Sequence, residues 1–419
     1  MEQDTNIFNL VEEGNVITLF QPIVSLKDKR VIGFEALSRG ICSNTGRVIK
    51  PLELFNIARS EGCDIELDNL CRKTALTSFK SIPNYDQFIL FLNLDTSVIN
   101  NNDENSKINT IELTDKLGLD YSSISLEIVE SKIDNESTLA EFVDHYRKLG
   151  YYVSLDDFGA MHSNMNRIMT SKPDIIKIDM DLIRSVSVNY YQQSIISSII
   201  ELARKTGALT LAEGLETPED IIKCYELGID LYQGFYFYKP CVDIHTNFPF
   251  IMAKIDYLVL MIKNKLKENV LIRNNQHSGF DFIVDLLKRD SVSKSQEEYF
   301  KYLLKQIPNF EEIERVFLLD SKGQQTMDSI NNIGSISKKS KSFLKLYENN
   351  SDHSLKEYFY YLGKIDSDKF YTDTYLSNAT GRILRTMSCT VELQNEPHIL
   401  CVEFVDSAAD NYNLKKVGT

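Results

Sequence analysis

A series of polar residues closes apolar, β-rich runs in the first part of the chain: Glu35, Asn93, Glu127, the adjacent Asp156 and Asp157, Lys177, Glu213 and Gln233. Taken singly, each is an ordinary strand end meeting solvent. Taken together, they would gather carboxylates, an asparagine and a lysine in one place. Carboxylates so gathered repel unless cations sit among them. Hard oxygen ligands with no histidine suit Mg²⁺ or Mn²⁺ better than zinc. The pair Asp156-Asp157 adds a specific chemistry. Neighbouring carboxylates can bridge two metal ions about 3.5–4 Å apart, an arrangement that attacks phosphodiesters by activating a water and steadying charge on phosphate oxygens. Lys177 would orient that water or neutralise the developing charge. Its plainer role is a structural pair with Asp179 or a neighbour.

The elements that must position these residues are legible as runs: "VITLFQPIV", "VIGFEAL", "FILFLNL", "SISLEIV", "YVSLDDF", "DIIKID", "LTLAEGL" and "IDLYQGF". Amphipathic stretches such as "STLAEFVDHYRKLG" and "YQQSIISSIIELARKTG" lie between several of them. Strands alternating with helices imply a largely parallel sheet, and near-continuous apolar strands imply burial on both faces. About eight such units predict an α/β fold, a (β/α)₈ TIM-type barrel, with the polar strand ends at its C-terminal mouth. A doubly wound open sheet is the alternative.

These residues occur in motifs that together resemble the EAL-domain cyclic-di-GMP phosphodiesterases. Over roughly residues 14–242 the chain reads, in family order, "QPIV", "EALSR", "ELDNLCR", "FLNLDTS", "LEIVE", "SLDDFG", "PDIIKID", "AEGLET" and "QGFYFYKP". The resemblance implies a barrel that hydrolyses cyclic di-GMP to linear pGpG with two Mg²⁺ or Mn²⁺ ions. It implies that Glu35, Asn93, Glu127 and Asp156 hold the first metal. Asp156 would bridge to a second metal, held with Asp157 and approached by Glu213. Lys177 then contacts the catalytic water, and Glu213 is a general base or a metal-site acid. Gln21, Leu37 and Arg39 resemble substrate contacts, with Gln233 supporting the site. The planar fork of an arginine at Arg39 matches a phosphate or a guanine edge. Glu130 resembles the glutamate that anchors the loop after the Asp pair; its alternative is a solvated helix start. No "GGDEF"-like segment is present, so no cyclase partner domain is implied.

One stretch departs from the family. After Asp-Asp-Phe-Gly the family usually continues Thr-Gly-Tyr-Ser-Ser, whereas here Gly159 is followed by Ala160, Met161, His162, Ser163 and Asn164. A hydroxyl is lost at 160, and Met161 replaces a glycine that tolerates positive φ. In the family this loop couples the dimer interface to the second metal. Two readings follow: an active phosphodiesterase, or a cyclic-di-GMP receptor that binds and transmits with slow or no hydrolysis. His162 is read as loop packing rather than as a ligand.

The remaining features bound these readings. A chain of 419 residues exceeds one ordinary core, so more than one domain is expected. With 43% hydrophobic and 25% charged residues it reads as globular, and a net charge of −14 argues against general binding to nucleic acid. The seven cysteines are scattered and none forms a CxxC pair, which argues against zinc or a disulfide framework. The acidic start and the lack of a membrane-length apolar run predict a cytoplasmic protein with no membrane span. The barrel is assigned to residues 1–246 and a helical linker to 247–295, where Ile251, Ile255, Leu258, Ile262 and Leu266 recur at helical spacing. Such a helix could carry a signal or form a dimer seam, and a homodimer is expected. Residues 296–419 read as an α+β unit, a PAS- or Cache-like sensor. Its "FYTDTYLSNATGRILRTMS" resembles the C-terminal domain of the YkuI-type EAL proteins. Tyr371, Tyr375, Arg382 and Arg385 would line a small-ligand pocket there; a pocketless dimerisation module is the alternative.

Overall fold

The structure, a computed structural model, describes residues 11, 13–43, 45–94, 104–129, 136–160, 165–289, 291–332, 350–362, 368–377 and 380–406. Two compact units are present, Met1–Asn264 and Lys265–Thr419.

The first unit contains β1 (Val16–Ser25), β2 (Arg30–Ile41), β3 (Val48–Ile49), β4 (Ile89–Leu94), β5 (Ile124–Val129), β6 (Tyr152–Phe158), β7 (Ile175–Ile178), β8 (Leu209–Ala212) and β9 (Leu231–Gln233). Neighbours run β1-β9-β8-β7-β6-β5-β4-β2-β3, and β1 also pairs with β2, which closes the sheet into a barrel. From β2 through β4 to β9 the barrel pairings are parallel. The first strand breaks the repeat, because β1 runs antiparallel to both β2 and β9. Only the turn at 26–29 separates β1 from β2, with Lys29 at φ 53°. A parallel crossover needs a dozen or more residues, so this sequence can only make a hairpin. Elsewhere helices supply the crossovers, among them Asp64–Lys80, Glu136–Leu149, Tyr190–Thr206 and Pro218–Leu227.

The strand period explains why the mouth is polar above an apolar floor. Phe91, Ile175, Leu211 and Leu231 each stand two residues before Asn93, Lys177, Glu213 and Gln233, so they share a face with them one rung lower. Together with Ile23 they form one buried cluster. Gly33 stands two residues before Glu35, where a Cβ would come within 2.1 Å of the Ile89 oxygen. Between the strands and the helices a larger core gathers residues such as Phe34, Leu126 and Leu155 of the strands with Ile196 and Ile221 of the helices.

The helix Phe248–Lys288 begins in the first unit and ends in the second. Its Ile251, Ile255, Leu258 and Ile262 are buried in the barrel core, as their spacing predicts, whereas Leu266, the last of that series, is exposed. The second unit continues with the helix Gln296–Gln306, started by a capping box between Ser295 and Glu298. A six-stranded antiparallel sheet follows, built from β10 (Ile313–Leu319), β11 (Ile330–Asn331), β12 (Lys369–Tyr371), β13 (Tyr375–Leu376), β14 (Ile383–Leu393) and β15 (Glu396–Val405). Its order is β11-β10-β15-β14-β12, with β13 off β14. One face packs Val316, Met387, Val402 and Phe404 against Phe280, Val284, Tyr299 and Leu303 of the helices. The other face carries Phe317, Leu319 and Cys401 against Tyr358 of the short helix Glu357–Tyr360.

This sheet separates side chains that the sequence reading grouped into one pocket. Tyr371 opposes Met387 and donates its hydroxyl to Asp281, on the helix side. Tyr375 shares a hydroxyl hydrogen bond with Thr386, the neighbour of Met387 and therefore on the other face. Strand alternation thus keeps the two tyrosines from lining one pocket. The described cysteines are free thiols, and no described helix is long and apolar enough to cross a membrane.

Candidate functional site

At the mouth of the barrel, Lys177 of β7 is the centre of the polar side chains. Its Nζ lies 2.6 Å from Glu127 Oε1, 2.8 Å from Asp156 Oδ1, 2.8 Å from Glu213 Oε1 and 3.8 Å from Glu35 Oε1. Lys177 is 1% exposed and Glu127 is fully buried. Asn93 donates to Glu35 Oε1 at 3.3 Å, which leaves its carbonyl oxygen as the group suited to a hard cation. Gln233 donates to Glu35 Oε2 and, at 3.3 Å, to Gln21 Oε1. Gln21, Glu35, Asn93, Glu127, Asp156, Lys177, Glu213 and Gln233 thus form one connected group.

Adjacent residues of a regular strand point to opposite faces, so Asp156 and Asp157 should not converge. They do because β6 is irregular there. The β6–β7 register shifts between Leu155 and Phe158, and Asp157 has φ 54°. A non-glycine residue with positive φ is strained and persists when its surroundings enforce it. The result brings one oxygen each of Asp156, Asp157 and Glu213 within 4.8 Å of one another.

The electrostatics follow from burial and crowding. Burial pushes Glu127 well above the usual carboxylate range, and Lys177 only partly offsets this. Burial also raises Glu213, to about 8, against the pull of Lys177 and with the push of Asp156 and Glu35. Asp157 is raised to about 6, by burial first and Asp156 second. Burial alone would lower the Lys177 ammonium, but Asp156, Glu127, Glu213 and Glu35 outweigh it and hold it well above its ordinary value. One ammonium does not satisfy this many acids.

The donor set fits divalent cations. Among the described residues Glu127 Oε2 is buried without a donor, and the buried Glu127 Oε1 and Asp156 Oδ1 have only the shared ammonium of Lys177. Buried carboxylate oxygens short of donors are costly unless a cation takes them. All the candidate ligand atoms are oxygens, which suits Mg²⁺, Mn²⁺ or Ca²⁺.

Beside Glu35 and Asn93 opens a cavity of about 330 Å³. Leu37 lines it. Arg39 lies two residues further along β2 and therefore on the same face; it is half-buried and donates to the Ser38 oxygen at 2.8 Å. Glu130 and the Met161–Asn164 stretch lie outside the described residues.

The rest of the cavity wall escaped sequence reasoning. Pro51, Phe55, Asn56 and Arg59 come from the helix Pro51–Glu61, and Asp68 and Arg72 from the next helix. Arg72 donates through Nε to Asp68 Oδ2 at 2.7 Å, through Nη2 to Asn69 at 2.7 Å, and also to Thr110. The four-residue spacing of Asp68 and Arg72 in "ELDNLCR" was a usable signal for a pair on one helix face. Nothing in the sequence flags Phe55 or Asn56.

Comparison with known proteins bears on this geometry. The family profile described as the EAL domain matches residues 4–240. The probable cyclic di-GMP phosphodiesterase PdeI of Escherichia coli is 30% identical over 241 residues; the match covers 56% of this chain and 30% of that protein, so the chain spans about a third of this relative. The uncharacterized EAL-domain containing protein YkuI of Bacillus subtilis is 23% identical over 395 residues, covering 92% of this chain and 94% of its own. The crystal structure of YkuI in complex with substrate c-di-GMP and calcium superposes with a TM-score of 0.76 at 21% identity. That superposition covers 97% of this chain and 100% of the YkuI chain, and it supports the fold across both units. A manganese/cy-diGMP complex of BlrP1 from Klebsiella pneumoniae is 27% identical with a TM-score of 0.50, covering 54% of this chain and 56% of that one.

Proposed function

From the premise that this chain belongs to the EAL domain family, we propose that it hydrolyses cyclic di-GMP to linear pGpG with the help of divalent cations. The observation that carries the reading is the convergence of Asp156, Asp157 and Glu213 beside the Lys177 cluster, with buried carboxylate oxygens short of donors. Relatives named as cyclic di-GMP phosphodiesterases, and structures of relatives holding cyclic di-GMP with calcium or manganese, support it.

In this reading Glu35, Asn93, Glu127 and Asp156 would hold one cation, and Asp156 and Asp157 a second, with Glu213 close by. Such a pair supplies an activated water and neutralises charge on the phosphate oxygens. The chain's own residues do the rest. Lys177 holds three carboxylates at 2.6–2.8 Å and so fixes where negative charge is presented. Glu213 keeps one oxygen on Lys177 and, in the ionised form that neighbouring cations would favour, would take the proton of the attacking water. Gln233 and Asn93 fix both oxygens of Glu35. Leu37, Pro51 and Phe55 give a base an apolar wall and exclude water, and Arg39 reaches a phosphate or guanine edge.

Finer parts of the proposal are Mg²⁺ or Mn²⁺ as the metal, a cytoplasmic homodimer, and a C-terminal PAS- or Cache-like unit that senses a small ligand. Exposed Met165, Met169, Tyr191 and Ile195 on the barrel helices suit a partner copy. The sequence after Gly159, "AMHSN", favours a second reading, a receptor that binds cyclic di-GMP with little turnover. Incubation of the full chain with cyclic di-GMP and Mg²⁺ or Mn²⁺ separates the two. Accumulation of pGpG is expected; tight binding without pGpG in either metal selects the receptor.

A further inference from the structure

Lys254 lies on the helix Phe248–Lys288, away from the carboxylate cluster, yet it reaches the backbone that carries two site residues. Its Nζ donates to the main-chain oxygen of Tyr236 at 2.5 Å and to that of Phe237 at 3.2 Å. It also stands 5.5 Å from the centre of the Tyr236 ring. These carbonyls belong to the loop that leaves β9 directly after Gln233. The loop is laced to the one that leaves β8. Tyr236 N donates to Leu215 O at 3.0 Å, Leu215 N to Gln233 O at 3.1 Å, and Phe237 N to Gly234 O at 3.1 Å. A Cβ on Gly234 would come within 2.0 Å of the Leu215 oxygen, so only glycine permits this approach. Leu215 is two residues past Glu213, and Gln233 donates to Glu35.

We propose that Lys254 is a positioning residue for the reaction at the barrel mouth. Its ammonium ties the β9 loop to the helix, and the ladder between the two loops passes that restraint to Gln233 and Glu213. A charge-assisted donor shared by two carbonyls is stronger and more directional than a neutral contact. The restraint ends on Gln233 and Glu213 rather than on the cavity wall supplied by residues 51–72, so the inference assigns the effect to turnover rather than to ligand capture. The kinetic part of the inference rests on the phosphodiesterase reading; the structural part does not.

The test uses the full chain and three variants, Lys254→Met, Lys254→Gln and Lys254→Arg. Lys254→Met keeps the stem and removes the donors; kcat should fall about tenfold to hundredfold while KM for cyclic di-GMP stays within about twofold. Lys254→Arg, which can also donate to both carbonyls, should restore most of kcat, and Lys254→Gln should fall between. Amide exchange at Leu215 and Tyr236 should speed up in Lys254→Met by about tenfold and return in Lys254→Arg. If the wild-type chain yields no pGpG, the phosphodiesterase reading fails, and the exchange at Leu215 and Tyr236 still judges the structural role of Lys254. A Lys254→Met chain with kcat and exchange within twofold of wild type overturns the inference. So does a KM that rises in step with the loss of kcat. If Lys254→Met does not fold, the contrast between Lys254→Gln and Lys254→Arg decides on the same two readouts.

Discussion

The barrel mouth and the inner sheet of the second unit both bury charge, and they treat it differently. At the mouth one ammonium, Lys177, is shared among Glu127, Asp156, Glu213 and Glu35, and buried Glu127 Oε2 has no donor among the described residues. In the sheet, Arg315 sits opposite Glu403 across β10 and β15 and donates from Nε at 2.9 Å and from Nη2 at 2.5 Å, one nitrogen to each carboxylate oxygen. His353 likewise has a partner on each ring nitrogen, Tyr358 at 2.6 Å and Gln325 at 3.2 Å. The Arg315–Glu403 pair is matched within the chain. The charges of the mouth are matched only when something else arrives. A fold tolerates such a mismatch where it serves chemistry.

The largest effect expected from this contrast is on turnover. Glu35→Ala or Lys177→Met should lower pGpG formation by about 10³-fold, because each removes part of the preorganised charge around the reacting phosphate. Activity within tenfold of wild type in either variant would break the site assignment. In the second unit the same kind of change should act on stability instead. Arg315→Met leaves Glu403 buried without its partner, which should cost that unit about 3 kcal/mol. Chemical denaturation would read this as an earlier transition of the second unit, with the Mn²⁺-dependent melting of the barrel unchanged. A shift of both together would erase the distinction.

Cations should sharpen the comparison further. A ligand that binds only the folded state at a hundred times its dissociation constant adds about 2.7 kcal/mol. Mn²⁺ or Mg²⁺ should therefore raise the melting temperature of the barrel, and EDTA should return it. In a Glu127→Gln chain the cation-dependent rise should shrink or vanish. An equal rise in that variant would show that the metal binds elsewhere.

Much of the mouth was legible because chemistry and strand period coincide. Glu35, Asn93, Glu127, Lys177, Glu213 and Gln233 close apolar runs, and closing a run in a barrel places a side chain at the mouth. The pair Asp156-Asp157 was legible as a pair but not as a convergence, since that depends on positive φ at Asp157, which no residue type announces. The antiparallel first strand was implicit in the four residues between β1 and β2, but the repeating apolar pattern concealed it. The cavity wall from Pro51 to Arg72 was hidden for another reason. Its residues sit on helices whose amphipathic pattern reads the same whether the inner face meets a core or a ligand. In the second unit, Tyr371 and Tyr375 lie four apart along the chain and look like partners. Their faces are set by the strands they pair with, which are far away in sequence.

The smallest expected effect concerns His353, where the matched side of the comparison should show its own weakness. Burial pushes the imidazole down to about 4, Lys356 and Arg315 add to this, and Asp352 opposes it weakly. The hydrogen bonds select the tautomer of the neutral ring, since Gln325 Oε1 can only accept and its amide nitrogen is engaged by the Met327 oxygen at 2.7 Å. That makes Nε2 the donor and leaves Nδ1 to accept from Tyr358. Below its unfolded value of 6.5 the denatured chain binds the proton and the folded one does not. The stabilisation from the neutral ring is therefore complete above pH 6.5 and drains away as the pH falls toward 4. With allowance for solvent screening, the loss is about 2 kcal/mol. Denaturation of the full chain at pH 7 and pH 4.5 should show the second unit weakening over this window. His353→Gln, which carries no titrating group, should flatten that dependence. A weakening toward pH 4.5 that survives in His353→Gln would place the sensitivity in a carboxylate held below its ordinary range, such as Asp352, which accepts from Ser354 N at 2.8 Å; buried Glu314, which is raised, acts in the opposite direction.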